Sequence, residues 1–108
     1  QALSEQSEAQ LQDTELQILM EVVKAYADAQ SSFENLQASQ QLLSAAEAAM
    51  KSSQKRYDKG AADVLELLST QSALADAQQE RVRCLSDWRS ARLRLMSRAG
   101  SLGREGLE

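Results

Sequence analysis

Apolar residues recur at steps of three and four along the first half of the chain: Leu19, Val22, Tyr26, Ala29, Phe33 and Leu36, then Leu43, Met50 and Tyr57. That spacing predicts an amphipathic helix with a coiled-coil-like seam. Polar residues interrupt the seam at Gln40, Glu47 and Gln54, themselves seven apart, a pattern suited to a long, slim contact that meets water in places. The helix is expected from about Leu3 to Asp58. At about 1.5 Å per residue it would be roughly 80 Å long. Helices of globular domains average only about 11–12 residues, so the length alone points to an extended structure.

The pattern then breaks sharply. Gly60 follows Lys59 at the place of a left-handed C-terminal cap. Lys51, Lys55, Arg56 and Lys59 precede it, where cations favour the negative end of a helix. Asp63 stands just before Val64-Leu65-Glu66, so its carboxylate can accept from the first N–H groups of a new helix, and Glu66 can reach back as in a capping box. Stop and start signals this close require a tight turn over 59–63 between two antiparallel helices.

The second helix is expected from about Val64 to Arg98, with the tail 99–108 beginning near Gly100-Ser101-Leu102-Gly103. Two adjacent stripes repeat every seven residues: Leu67, Leu74, Arg81, Trp88, Leu95, and Leu68, Ala75, Val82, Arg89, Met96. Two stripes side by side make a wider face than one partner helix needs. The early first helix is acidic (Glu15, Glu21, Asp28, Glu34), and the late second helix is basic (Arg81, Arg83, Arg89, Arg92, Arg94, Arg98). Folding about Gly60 brings these segments alongside each other, setting register more than stability, because an exposed pair contributes at most about 1 kcal/mol. The expectation is an all-α fold, a long antiparallel two-helix coiled-coil hairpin. The first helix overhangs the second, as in a piece of a larger assembly.

Composition narrows the chemistry. The 108 residues hold no Pro and only four Gly, and Ala, Leu, Gln, Ser, Glu and Arg dominate, a helix-forming mixture. A net charge of −4 disfavours a nucleic-acid partner. There is no His and one cysteine, Cys84, which excludes a Ser–His or Cys–His pair and an internal disulfide and leaves only carboxylates for a metal. No catalytic residue, metal site or cofactor is expected. The longest apolar runs, such as Ile18-Leu19-Met20, are far short of the roughly 20 residues that cross a bilayer as a helix.

Several segments in order resemble one family. Val22-Val23-Lys24-Ala25-Tyr26 resembles the V-x-x-A-Y stretch in the long helix of TolC-like outer-membrane efflux proteins. Arg56-Tyr57-Asp58-Lys59-Gly60 resembles their R-[YF]-x-x-G turn, and Glu66-Leu67-Leu68 with Gln71 stands where they carry D-V-L. Arg92 to Met96, followed by Gly100 and Gly103, is similar to the close of their second repeat. The resemblance implies a homotrimer whose helices form an α-barrel through the periplasm of a Gram-negative bacterium, anchored in the outer membrane by strands outside this segment. It implies passive export, with energy supplied by an inner-membrane transporter, and a tip of Lys59, Gly60, Ala61 and Ala62 that docks a periplasmic adaptor protein. It further implies that Tyr57 matches a tyrosine helping to hold the entrance closed, and that Glu66 matches the first of two carboxylates lining the constriction. The second carboxylate position is Ser69 and the basic latch position is Ala62, so the paired acidic ring and the full latch are not reproduced.

Plainer roles stand beside these. Gly60 serves as a helix stop, Asp63 and Glu66 as caps, Trp88 and Tyr57 as seam residues, and Cys84 as a small packing residue. Two other functions use the same architecture: the hairpin of an adaptor (membrane-fusion) protein and a plain coiled-coil scaffold. Adaptor hairpins carry an Arg-Leu-Ser-type tip, whereas the tip here reads Lys59-Gly60-Ala61-Ala62.

Overall fold

In a computed structural model the chain forms two helices, α1 (Ala2–Asp58) and α2 (Val64–Leu107). The structure describes residues 2–107, and the side chains of 5–101. No strand occurs among the described residues. The all-α, two-helix fold expected from the periodicity is the one observed. Two compact units divide it, Ser32–Trp88 and the pair Gln1–Ser31 with Arg89–Glu108.

The unit Ser32–Trp88 holds the turn and the helical segments on either side of it. Gln54, Glu66, Glu80 and Leu85 are half-buried beside the seam, and the seam itself is formed by the buried and half-buried Ser32, Leu36, Ser39, Leu43, Ala46, Met50 and Ser53 of α1 and Leu67, Thr70, Leu74, Ala77, Arg81, Cys84 and Trp88 of α2. Every step is three or four residues, the repeat of a coiled-coil seam. Each helix contributes one row of small side chains (Ser32, Ser39, Ala46, Ser53; Thr70, Ala77, Cys84) and one row of larger ones. Ala77 and Cys84 are 2% and 3% exposed. Two seam hydroxyls turn back on their own helices: Ser39 Oγ donates to the Leu36 carbonyl at 2.7 Å and Thr70 Oγ1 to that of Leu67 at 2.9 Å. No buried side-chain N or O among the described residues lacks a partner.

The seam corrects one expectation, on α1. On α1 the sequence pattern paired the row of Val22, Leu36, Leu43 and Met50 with the row of Phe33, Gln40, Glu47 and Gln54. The larger row is used, but its companion is the row one residue earlier. Small Ser and Ala side chains let the two backbones approach closely, which a row containing Phe33 and Glu47 would prevent. Phe33 instead flanks the seam, half in solvent, its ring 6.1 Å from that of Trp88 and tilted by 48°. On α2 the stripe Leu67, Leu74, Arg81, Trp88 is the contact row, whereas the stripe of Leu68, Ala75 and Val82 lies exposed.

In the unit of Gln1–Ser31 with Arg89–Glu108 the same repeat places Ile18, Val22, Ala25 and Ala29 on the inner face of α1, and Ala91 and Leu95 on that of α2. Leu19 and Tyr26, expected in the seam, are exposed, as is Met96. Of the expected acidic-to-basic pairing, Arg98 Nη1 meets Glu21 Oε2 at 3.7 Å. Arg83, in the other unit, turns to its own helix instead, to Glu80 and Asp87.

The expected stop near Arg98 is also corrected. α2 continues through Gly100 to Leu107, making it 44 residues against 57 for α1 and the overhang shorter than expected. Gly100 does not take a positive φ. Gly100, Gly103 and Gly106 all lie within α2; each helical Gly costs about 1 kcal/mol against Ala, and a Gly does not end a helix unless the chain turns left-handed there.

Candidate functional site: the hairpin tip

The turn lies wholly within the unit Ser32–Trp88. α1 ends in a Schellman motif. The Ala61 N–H donates to the Arg56 carbonyl at 2.7 Å, and the Gly60 N–H to that of Tyr57 at 3.0 Å. Gly60 has φ +73°, the left-handed conformation in which a side chain is strained. A Cβ built there would meet nothing within 4 Å, so its surroundings are open.

Asp63 starts α2. Its Oδ1 accepts the Glu66 N–H at 2.9 Å, and its carbonyl accepts the Leu67 N–H at 3.3 Å, the geometry of an N-cap. The second half of the expected capping box is replaced. The Glu66 carboxylate meets Arg56 Nη1 across the turn at 2.5 Å. The guanidinium, in the last turn of α1, offers a full charge, a stronger attraction than a single backbone N–H. On the α1 side Gln54 Nε2 donates to Asp58 Oδ1 at 2.9 Å.

These contacts locate the residues singled out in the sequence. Lys59, Gly60, Ala61 and Asp63 are exposed at the turn, and Ala62 is half-buried. Tyr57 is 42% exposed on the last turn of α1, and Glu66 is half-buried on the first turn of α2. Ser69 is exposed one turn beyond Glu66, on the same side of α2 by the three-residue step. The residue that sequence reasoning missed is Arg56 as the partner of Glu66. Its signal was present: opposite charges at the third helical position before one end and after the next start, with a tight turn between them.

A second charged cluster lies on α2. Arg83 grips Glu80, with Nε donating to Oε2 at 3.1 Å and Nη2 to Oε1, while Nη1 reaches Asp87 at 3.0 Å. The Cys84 thiol points to Glu80 Oε1 at 3.6 Å. The Arg83 hydrogen bonds hold the Glu80 carboxyl below its ordinary range, and Glu80 in turn raises Arg83. The side chains of Glu80, Arg83 and Asp87 are 41%, 62% and 56% exposed, whereas Cys84 is buried in the seam. No cluster of His, Cys, Asp or Glu able to hold a metal occurs among the described residues, and none of their helices is long and apolar enough to cross a membrane.

A Schellman stop, a bare left-handed glycine and an Asp cap joining two seam-packed helices define a coiled-coil hairpin with a capped, tight turn. Residues 1–101 match the outer membrane efflux protein family, and the chain belongs to that family. Its proteins are trimeric outer-membrane channel components, not enzymes. No curated protein and no solved structure matches the chain.

Proposed function

We propose that this chain is the periplasmic hairpin of the second repeat of a trimeric efflux channel, and that its turn, Lys59 to Ala62, docks a periplasmic adaptor protein coupled to an inner-membrane transporter. Substrate crosses passively toward the outside of a Gram-negative cell. Strands elsewhere in the protein hold the channel in the outer membrane, and Tyr57, Glu66 and Ser69 border its periplasmic entrance. The observation that carries this reading is the tip itself: Gly60 is exposed, left-handed and surrounded by open space, so a second hairpin tip can approach bare backbone. The exposed stripe of Leu68, Ala75 and Val82 supports it as well, as a face left over for neighbouring helices in a barrel.

The test separates strain from obstruction. Gly60→Ala and Gly60→Trp impose similar backbone strain, and the Cβ that both add meets open space. Only Trp adds bulk toward a docking partner. In a strain that survives a toxic compound through this channel, Ala is expected to give a mild defect and Trp a severe one, with normal trimer levels in the outer membrane for both. Normal survival with Gly60→Trp would show that the tip is not the docking surface, and a plain spacer role would gain.

A further inference from the structure

Beside the tip, within the unit Ser32–Trp88, a shallow apolar groove of about 580 Å³ runs along the hairpin between Met50 and Leu74. Lys51 and Lys55 stand on its α1 edge, and Lys59 lies one further turn along the same four-residue row. All three are exposed, and none forms an ion pair among the described residues. The contrast with their neighbours is informative. Arg56 is committed to Glu66, Asp58 to Gln54 and Asp63 to the start of α2. Two acidic groups lie near the row, Glu47 one four-residue step before Lys51 and Asp58 hydrogen-bonded to the groove residue Gln54, and neither forms an ion pair with a lysine among the described residues.

The pull of the helix end accounts for cations in the last turn only, because that effect fades within one turn. Lys51 lies two turns before Asp58, so the row extends beyond what the end of α1 explains. Three unpaired cations spaced over about 12 Å beside an apolar groove, in a chain of net charge −4, form a surface of defined complementarity.

We propose that this flank is the specificity-determining part of the docking surface, and that its occupant is an acidic amphipathic helix of the adaptor. That helix lays its apolar residues over Met50 and Leu74 and sets carboxylates at four-residue steps against Lys51, Lys55 and Lys59. The inference rests on the docking reading above and adds the chemistry of the partner. The tip backbone allows close approach of any slender hairpin; the lysine row selects one with acid on the facing side.

The test uses the full-length channel in cells, with a photo-crosslinking residue at position 54 in the groove and, separately, at position 61 on the tip. Crosslinked peptides are identified by mass spectrometry. The expected product at 54 is a helical adaptor segment with acidic residues three or four apart. The triple change Lys51→Glu, Lys55→Glu, Lys59→Glu should lower its yield by about tenfold or more, the sum of several surface pairs. The milder Lys51→Gln, Lys55→Gln, Lys59→Gln variant, which spares the helix end a full reversal, should lower it in the same direction. Lysine in place of the contacted adaptor carboxylates should restore the yield with the Glu triple. A lipid adduct at 54, an adaptor segment without acidic residues, or unchanged yield in both triples overturns the proposal. If position 61 still captures the adaptor in those cases and Gly60→Trp abolishes that capture, tip docking stands and only the flank assignment fails. If neither position captures an adaptor, both fail.

Discussion

Two glycines of this chain sit in opposite conformations, and substitution by alanine should move stability in opposite directions. At Gly60, φ is +73° and no neighbour stands in the way, so the whole effect of Gly60→Ala is backbone strain, a loss of about 1 kcal/mol. Gly100 is helical with open surroundings, so Gly100→Ala should gain up to about 1 kcal/mol. Urea titrations of the two variants read both signs; a loss at Gly100 would mean that α2 is not helical there. Asp63→Ala should cost about 1 kcal/mol by leaving the Glu66 N–H without its acceptor, and Asp63→Asn should cost much less. The Glu80 carboxyl carries a pH prediction. Its folded pKa lies below its ordinary value, so the stabilisation is present above that value and disappears as the pH falls through the folded one. Melting temperature should therefore fall less on acidification in Glu80→Gln than in the parent chain. The effect is small because the pair is exposed.

At the scale of the helices, the arrangement turns on which of two adjacent rows faces inward. Ala77 is 2% exposed in the small-residue row of α2, and Ala75, two positions earlier, is exposed. Ala77→Leu should overpack the seam and cost about 1–3 kcal/mol, whereas Ala75→Leu should leave the stability of the hairpin nearly unchanged. Equal losses at the two positions would contradict the observed seam. The seam row Leu67, Leu74, Arg81, Trp88 was legible in the sequence, because its large residues repeat without a gap. The small row on α1 was not. Ser32, Ser39, Ala46 and Ser53 carry little hydrophobic signal, and a scan for apolar residues passes over them in favour of Phe33 one place later. What draws the small row inward is close backbone approach, a property of two helices together.

For the molecule as a whole, the exposed apolar residues matter more than the seam. Among the described residues no large side chain is fully buried, while Leu68, Val82 and Met96 on α2 and Leu19, Met20 and Tyr26 on α1 are exposed. A chain that leaves this much apolar surface in water should associate with copies of itself when concentrated. Sedimentation across a concentration series is expected to show species larger than a monomer. Leu68→Gln combined with Val82→Gln should shift them toward monomer without lowering helix content. A single monomeric species at the highest concentration would count against any role of this face in assembly.

The sequence by itself determined the number of helices, the place of the turn and the chemistry of its caps. These are local matters: a left-handed position calls for glycine, a helix start for an acceptor such as Asp63, and a seven-residue repeat for a long seam. It also held enough of the family pattern over residues 1–101 for the chain to be placed. Tertiary structure decided which rows meet, where Glu66 sends its carboxylate and how far α2 runs. Each of those outcomes is a competition between neighbours. Serines displaced Phe33 because two backbones had to approach, and Arg56 took Glu66 from the Asp63 N–H because the turn brought a full positive charge within reach. Gly100 stayed helical because no left-handed turn was imposed on it.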